Sequence, residues 1–131
     1  MPRRRSWGAD HGNASVAVVG GMAMVMVFLI GLSDLAVFYI ARTRAQTAAD
    51  SASLAAAAEL IPGIGEDPEA KAREFAAANG AELTACECAM GGSVAQVTVT
   101  VPVNMSLSAF SGLKEVKANS RAEISLPTGD P

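Results

Sequence analysis

Twenty consecutive residues, Ala14 to Ser33, carry no charged side chain. A helix of about 20 such residues crosses a hydrocarbon core of roughly 30 Å, so this run predicts a transmembrane helix. The pattern then changes without a break. Ala41 to Leu60 holds neither Gly nor Pro and is rich in alanine, the strongest helix former. Ala45, Ala48, Ala49, Ala52, Ala55 and Ala56 recur at helical spacing as a narrow stripe of small side chains, with Arg42, Gln46, Asp50 and Ser53 expected away from it. One helix from Ala14 to Leu60 would be about 70 Å long, with about 40 Å projecting from the bilayer. Pro62 and Gly63 end it.

A second helix is predicted over 68–79. Asp67 suits the N-cap, Pro68 the first helical position, and Glu69 the positive end of the dipole. Lys71 and Arg73 follow Asp67 and Glu69 by four residues, and Gly80 after Asn79 is a stop. The period then drops to two. Val97, Val99, Val101 and Val103 alternate with polar residues, as do Val116, Ala118, Ala122, Ile124 and Leu126. A weaker strand at Glu82–Cys88 precedes a turn at Met90-Gly91-Gly92-Ser93. Pro102 removes a ladder donor, placing its strand near an edge at that point. Leu107, Phe110 and Leu113 are expected to plug the end of the sheet.

These elements make an α+β protein. A long N-terminal transmembrane helix continues into an alanine-rich stem, followed by a short helix and a small three-stranded antiparallel sheet packed on the stem. The corresponding segments are a cytoplasmic segment 1–13, the span 14–41, the stem 42–60, an extracytoplasmic head 61–126 and a disordered tail 127–131. The run is longer than the apolar core of a cleaved secretory signal and flows into helix-forming sequence, so a retained anchor is expected.

Charge sets the expected direction. Residues 1–13 hold Arg3, Arg4 and Arg5 against Asp10, a net of +2. Residues 45–131 hold eleven carboxylates against Lys71, Arg73, Lys114, Lys117 and Arg121, a net of −6. Arg42 and Arg44 weaken the asymmetry without reversing it, so the N-terminus is expected in the cytoplasm and the head outside the cytoplasmic membrane. The head has no basic stripe of the kind that binds nucleic acid.

The order of residues from Leu32 to Ala57 resembles the signature region of TadE/TadG-like proteins. The matching positions are an acidic residue late in the span (Asp34), a basic pair (Arg42, Arg44), Gln46, Ala48-Ala49-Asp50 and Leu54-Ala55. Ala78-Asn79-Gly80-Ala81, Cys86 and the valine strand are similar to the short actinobacterial-type branch, and the resemblance extends from about Gly12 to Leu126. It implies a minor pilin or pseudopilin of the tight-adherence (Flp) pilus machinery, whose partners are the bilayer, other pilus or pseudopilus subunits and inner-membrane platform proteins. Asp34, Arg42, Arg44, Gln46 and Asp50 are then assembly candidates. Related prepilins are cut after a Gly with an acidic residue at the fifth mature position. Gly12 and Asn13 stand where such a cut would fall, but the fifth residue is Ala17, so that bond is expected to stay largely intact.

Little else suggests chemistry. A carboxylate at membrane depth is costly and usually faces a partner, which would explain Asp34; hydration at the interface is the alternative. Cys86 and Cys88 read as two thiols expected to diverge from a strand, which would strain a mutual bridge. Free or intermolecularly bonded thiols, a local disulfide and a metal site all stay open, although a metal needs more ligands than Cys-x-Cys supplies. Met22, Met24 and Met26 fan around a helix instead of converging, so they read as lipid-facing packing. Ala17-x-x-x-Gly21 permits close helix approach and specifies little.

The sequence shows no Ser-His-Asp set, no metal-ligand cluster and no glycine-rich loop between strand and helix. An enzyme is not expected, nor a cofactor, nor a small-molecule substrate. Two classes of function remain: a pilus or pseudopilus component packing through its long helix, and an independent membrane-tethered binding or regulatory module.

Overall fold

The computed structural model describes residues 11–61, 63, 65–104 and 112–125. Helix α1 (His11–Ala58) runs unbroken for 48 residues. Over residues 14–30 every side chain is exposed, an apolar cylinder about 25 Å long that fits a single-pass membrane anchor. The methionines belong to it, with Met22, Met24 and Met26 all more than half exposed. From Asp34 onward one face becomes covered. Asp34, Ala41, Ala45, Ala48, Ala49, Ala52, Ser53, Ala56, Ala57 and Leu60 are buried at steps mostly of three and four, the spacing of a single helical stripe.

The stripe is covered by helix α2 (Pro68–Ala78) and an antiparallel sheet of β1 (Glu82–Glu87), β2 (Val94–Pro102) and β3 (Glu115–Glu123) in the order β1-β2-β3. Helix α1 lies across β2 and β3, while α2 packs on α1 and β1. The core is thin. Among the described residues its fully buried apolar members are alanines of both helices and Ala95, Val97 and Val99 of β2, with Leu60 the largest. Alanine lets helix and sheet backbones approach closely but contributes little apolar area per residue.

Local chemistry sets the element boundaries. The Asp67 carboxylate accepts the Ala70 N–H at 3.0 Å, with Pro68 opening α2. At the other end Gly80 takes φ +73°; its N–H reaches Ala77 O (2.9 Å) and the Ala81 N–H reaches Ala76 O (3.0 Å), a Schellman cap. Arg73 pairs with Glu69 as expected, but Lys71 turns to Glu74 (2.9 Å), because Asp67 is committed to the cap. Between Leu83 and Ala85 the β1–β2 register shifts, leaving Thr84 extra, and its hydroxyl donates to Thr98 O. The bulge places Leu83 opposite Val99 and Cys86 opposite Val97, so both pack on the core despite their odd spacing. Pro102 pairs only with Glu115, beyond the reach of β1, as its missing donor requires.

Two expectations need correction. Ser53 is not on the outer face: it is 1% exposed, and its hydroxyl bonds Asp50 O and the Ser120 hydroxyl of β3. Four residues after Ala49 and three before Ala56, it falls inside the alanine stripe. Leu113 is 47% exposed and plugs nothing, while Leu107 and Phe110 lie outside the described residues, as do Leu126 and the 127–131 tail. Lower on α1, Phe38 packs against the core and Asp34 is buried, while Leu35, Val37, Tyr39 and Ile40 stay exposed.

Candidate assembly surface

The stem has two faces of different character. Toward the head stand the alanines. Away from it stand Arg42, Thr43, Arg44, Gln46, Thr47, Asp50 and Leu54, all exposed. Arg42, Gln46, Asp50 and Leu54 step by four along this outer face, and the Gln46 amide donates to the Asp50 carboxylate at 3.0 Å. That bond orients both amide and carboxylate along the helix. Leu54, 66% exposed amid polar residues, completes a surface suited to another protein or helix.

Asp34 does not join this surface. It is 3% exposed and has an interaction partner in the protein. It is therefore neither hydrated at the interface nor presented to a neighbouring molecule in this conformation. The structure thus separates the five assembly candidates: Arg42, Arg44, Gln46 and Asp50 share the exposed stem, and Asp34 lies on the covered side. Gly12 and Asn13 fall in the first turn of α1, their side chains outside the described residues.

Cys86 and Cys88 are joined by a disulfide with their Cα atoms 5.4 Å apart, inside the usual span. This corrects the expectation of two thiols. Residues two apart in a strand share a face instead of diverging. Moreover β1 ends at Glu87, so Cys88 lies past the last residue held extended by β2. Both sulfurs belong to half-buried residues on the core side, close to the turn whose Gly91 N–H donates to Leu60 O.

An acidic notch of Glu59, Glu66, Asp67 and Glu74 lies beside Lys71, and three of its four carboxylates are engaged. Glu59 accepts the Glu66 N–H at 2.8 Å, Asp67 caps α2 and Glu74 holds Lys71. The hydrogen bond and charge of Glu74 keep the Lys71 ammonium above the usual lysine range. Among the described residues no group of three His, Cys, Asp or Glu is arranged to hold a metal.

Comparison with known proteins bears on the helix alone. No curated protein and no solved structure matches the chain. A family model described as Flp pilus-assembly TadE/G-like matches residues 12–59, which is α1 almost from end to end and none of the head. The residues that carry the outer face of the stem, Arg42 to Leu54, all fall inside that match. Residues 12–59 are thus a TadE/G-like segment, which supports assigning the protein to the TadE-like Flp pilus-assembly family and implies involvement in Flp/Tad pilus assembly.

Proposed function

We propose that the protein is a single-pass, membrane-anchored, minor pilin- or pseudopilin-like component of a Tad/Flp assembly or secretion system, without enzymatic activity. The observation that carries this reading is the division of the stem. The alanines hold the protein's own head, and the signature residues Arg42, Gln46, Asp50 and Leu54 face outward, where a pilus partner can reach them. A helix outer face with fixed polar groups and an exposed leucine is a means of packing against another subunit, not of turning over a substrate.

The N-terminus is assigned to the cytoplasm and the head to the outside of the cytoplasmic membrane. Arg3, Arg4 and Arg5 favour this direction. So does the Cys86–Cys88 disulfide, because such bonds persist in oxidising compartments outside the cytosol. A reporter fused after Pro131 should be active outside the cytoplasm, and the protein should resist alkaline extraction.

Gene deletion with pilus imaging, and crosslinking of tagged Gln46→Ala, Asp50→Arg and Leu54→Ala variants, test the assembly role. The expected result is loss of pili on deletion and loss of crosslinks to pilus components in the variants at normal membrane levels. Intact pili and unchanged crosslinks would refute it and favour an independent tethered module.

A further inference from the structure

Two arginines directly after the span run against the positive-inside preference of an exported head, and the structure suggests what they meet. The Ser53–Ser120 hydrogen bond ties β3 to α1 near the middle of the stem. The Gly91 N–H bonds Leu60 O at the far end of α1 and β3 pairs antiparallel with β2, so from Ser120 toward Glu115 the strand runs back toward the membrane, at about 3.3 Å per residue. Counted along the chain, Lys117 is about 10 Å and Lys114 about 20 Å from that bond, the spans that separate Gln46 and Ile40 from Ser53 on α1 at about 1.5 Å per residue. Ala41 is buried in the core, so the head covers the stem to this level.

The apolar exposure of α1 ends at the same level. Tyr39 is 70% and Ile40 50% exposed, and Arg42 and Arg44 follow, both exposed. A hydrocarbon boundary at Ile40 places the next 5–8 Å, roughly residues 41–45, in the headgroup layer, since a bilayer is about 40–45 Å thick including its polar zones and about 30 Å without them. Tyr39, with an apolar ring and a polar tip, suits that boundary.

Charge is sorted by height in the same way. Arg42, Arg44, Lys114 and Lys117 stand in the membrane-proximal band with two carboxylates: Glu115, paired with Lys117 at 3.3 Å, and Glu82, which lies across Thr100 from Lys117 in the sheet. The remainder of the described head carries six carboxylates against Lys71, Arg73 and Arg121. Among the described residues Arg42, Arg44 and Lys114 form no salt bridge with a carboxylate.

We propose that Arg42, Arg44 and Lys114, with Lys117 above them, form a basic collar that binds phosphate groups of anionic lipids in the leaflet on the head's side. Guanidinium groups match phosphate oxygens bidentately, and the acidic upper head is repelled by the same surface. The collar thereby seats the head on the bilayer with its acidic end outward. This rests on α1 being a membrane anchor. It does not depend on which side of the membrane the head occupies.

The test uses the full chain in nanodiscs of phosphatidylcholine containing a minor share of phosphatidylglycerol. Gentle delipidation and native mass spectrometry then read which lipid stays bound. A basic residue near an anionic surface is worth about fivefold in binding. Arg42→Gln/Arg44→Gln/Lys114→Gln should therefore retain at least about fivefold less phosphatidylglycerol than wild type, whereas Lys71→Gln/Arg73→Gln, high on the head, should retain the wild-type amount. The comparison between variants cancels any contribution of Arg3, Arg4 and Arg5 in the opposite leaflet. Equal retention by the triple variant and wild type would overturn the collar while leaving the anchor and the assembly role intact. Failure of the wild-type chain to integrate into the discs would overturn the anchor and the collar together.

Discussion

Replacing Ala52 by Leu should open the head from its stem. Ala52 is 0% exposed on the covered face of α1, in the core that also buries Ala72, Ala76, Val97 and Val99 completely. Leucine adds three carbon atoms there, between elements that alanine lets approach closely. Overpacking a close-packed core costs about 1–3 kcal/mol, and three carbons between facing backbones call for the upper end. Stem and head together are roughly 80 residues, for which total stability is about 4–12 kcal/mol at ordinary values per residue. A loss of about 3 kcal/mol raises the open population roughly 150-fold. Hydrogen exchange by mass spectrometry on the full chain in nanodiscs reads this directly, in the β2 peptide containing Val97 and Val99. Ala58→Leu is the matched control: same helix, same chemistry, exposed position, and little difference in helix propensity. Exchange in Ala52→Leu as slow as in Ala58→Leu would refute the claim that alanine is required for close approach.

Gly80→Ala and Asp67→Ala should each destabilise the head by about 1 kcal/mol, the first by forcing a Cβ into positive φ and the second by removing the α2 cap, both read as faster exchange across α2. Without reductant, neither Cys86 nor Cys88 should react with iodoacetamide, and Cys86→Ser/Cys88→Ser should lose about 1–2 kcal/mol for so short a loop; ready alkylation of the native protein would contradict the bridge. Intact-mass measurement of the membrane-extracted protein should show the Gly12–Asn13 bond largely uncut, given Ala17 at the fifth position beyond it; a chain starting at Asn13 would refute this.

The sequence by itself determined the elements, because each rests on local chemistry. An uncharged run followed by alanine at helical spacing can only be satisfied as one long helix, and α1 extends from His11 to Ala58. Asp67, Pro68 and Gly80 supply their own cap, start and stop, so α2 came within a residue of its expected limits. Valine alternation marked β2, and the missing donor of Pro102 placed that residue where β1 no longer pairs. The outward placement of Arg42, Gln46 and Asp50 was also legible, since a four-residue step on a helix defines a face without any tertiary contact.

Tertiary structure decided what those faces meet. Ser53 has the polarity of an outer residue, but a helix stripe is set by angle, and only β3 brings Ser120 to satisfy its hydroxyl. Thr84 looks like any strand residue until the register with β2 leaves it extra, and that shift turns Cys86 onto the core side. The pairing of Cys86 with Cys88 needed the end of β1 to be known, because backbone course beyond the last ladder bond is not encoded by spacing. Asp34 is the clearest case. It is 3% exposed, and whether a carboxylate on a helix face is covered depends on what packs over it, which no local pattern of residues encodes.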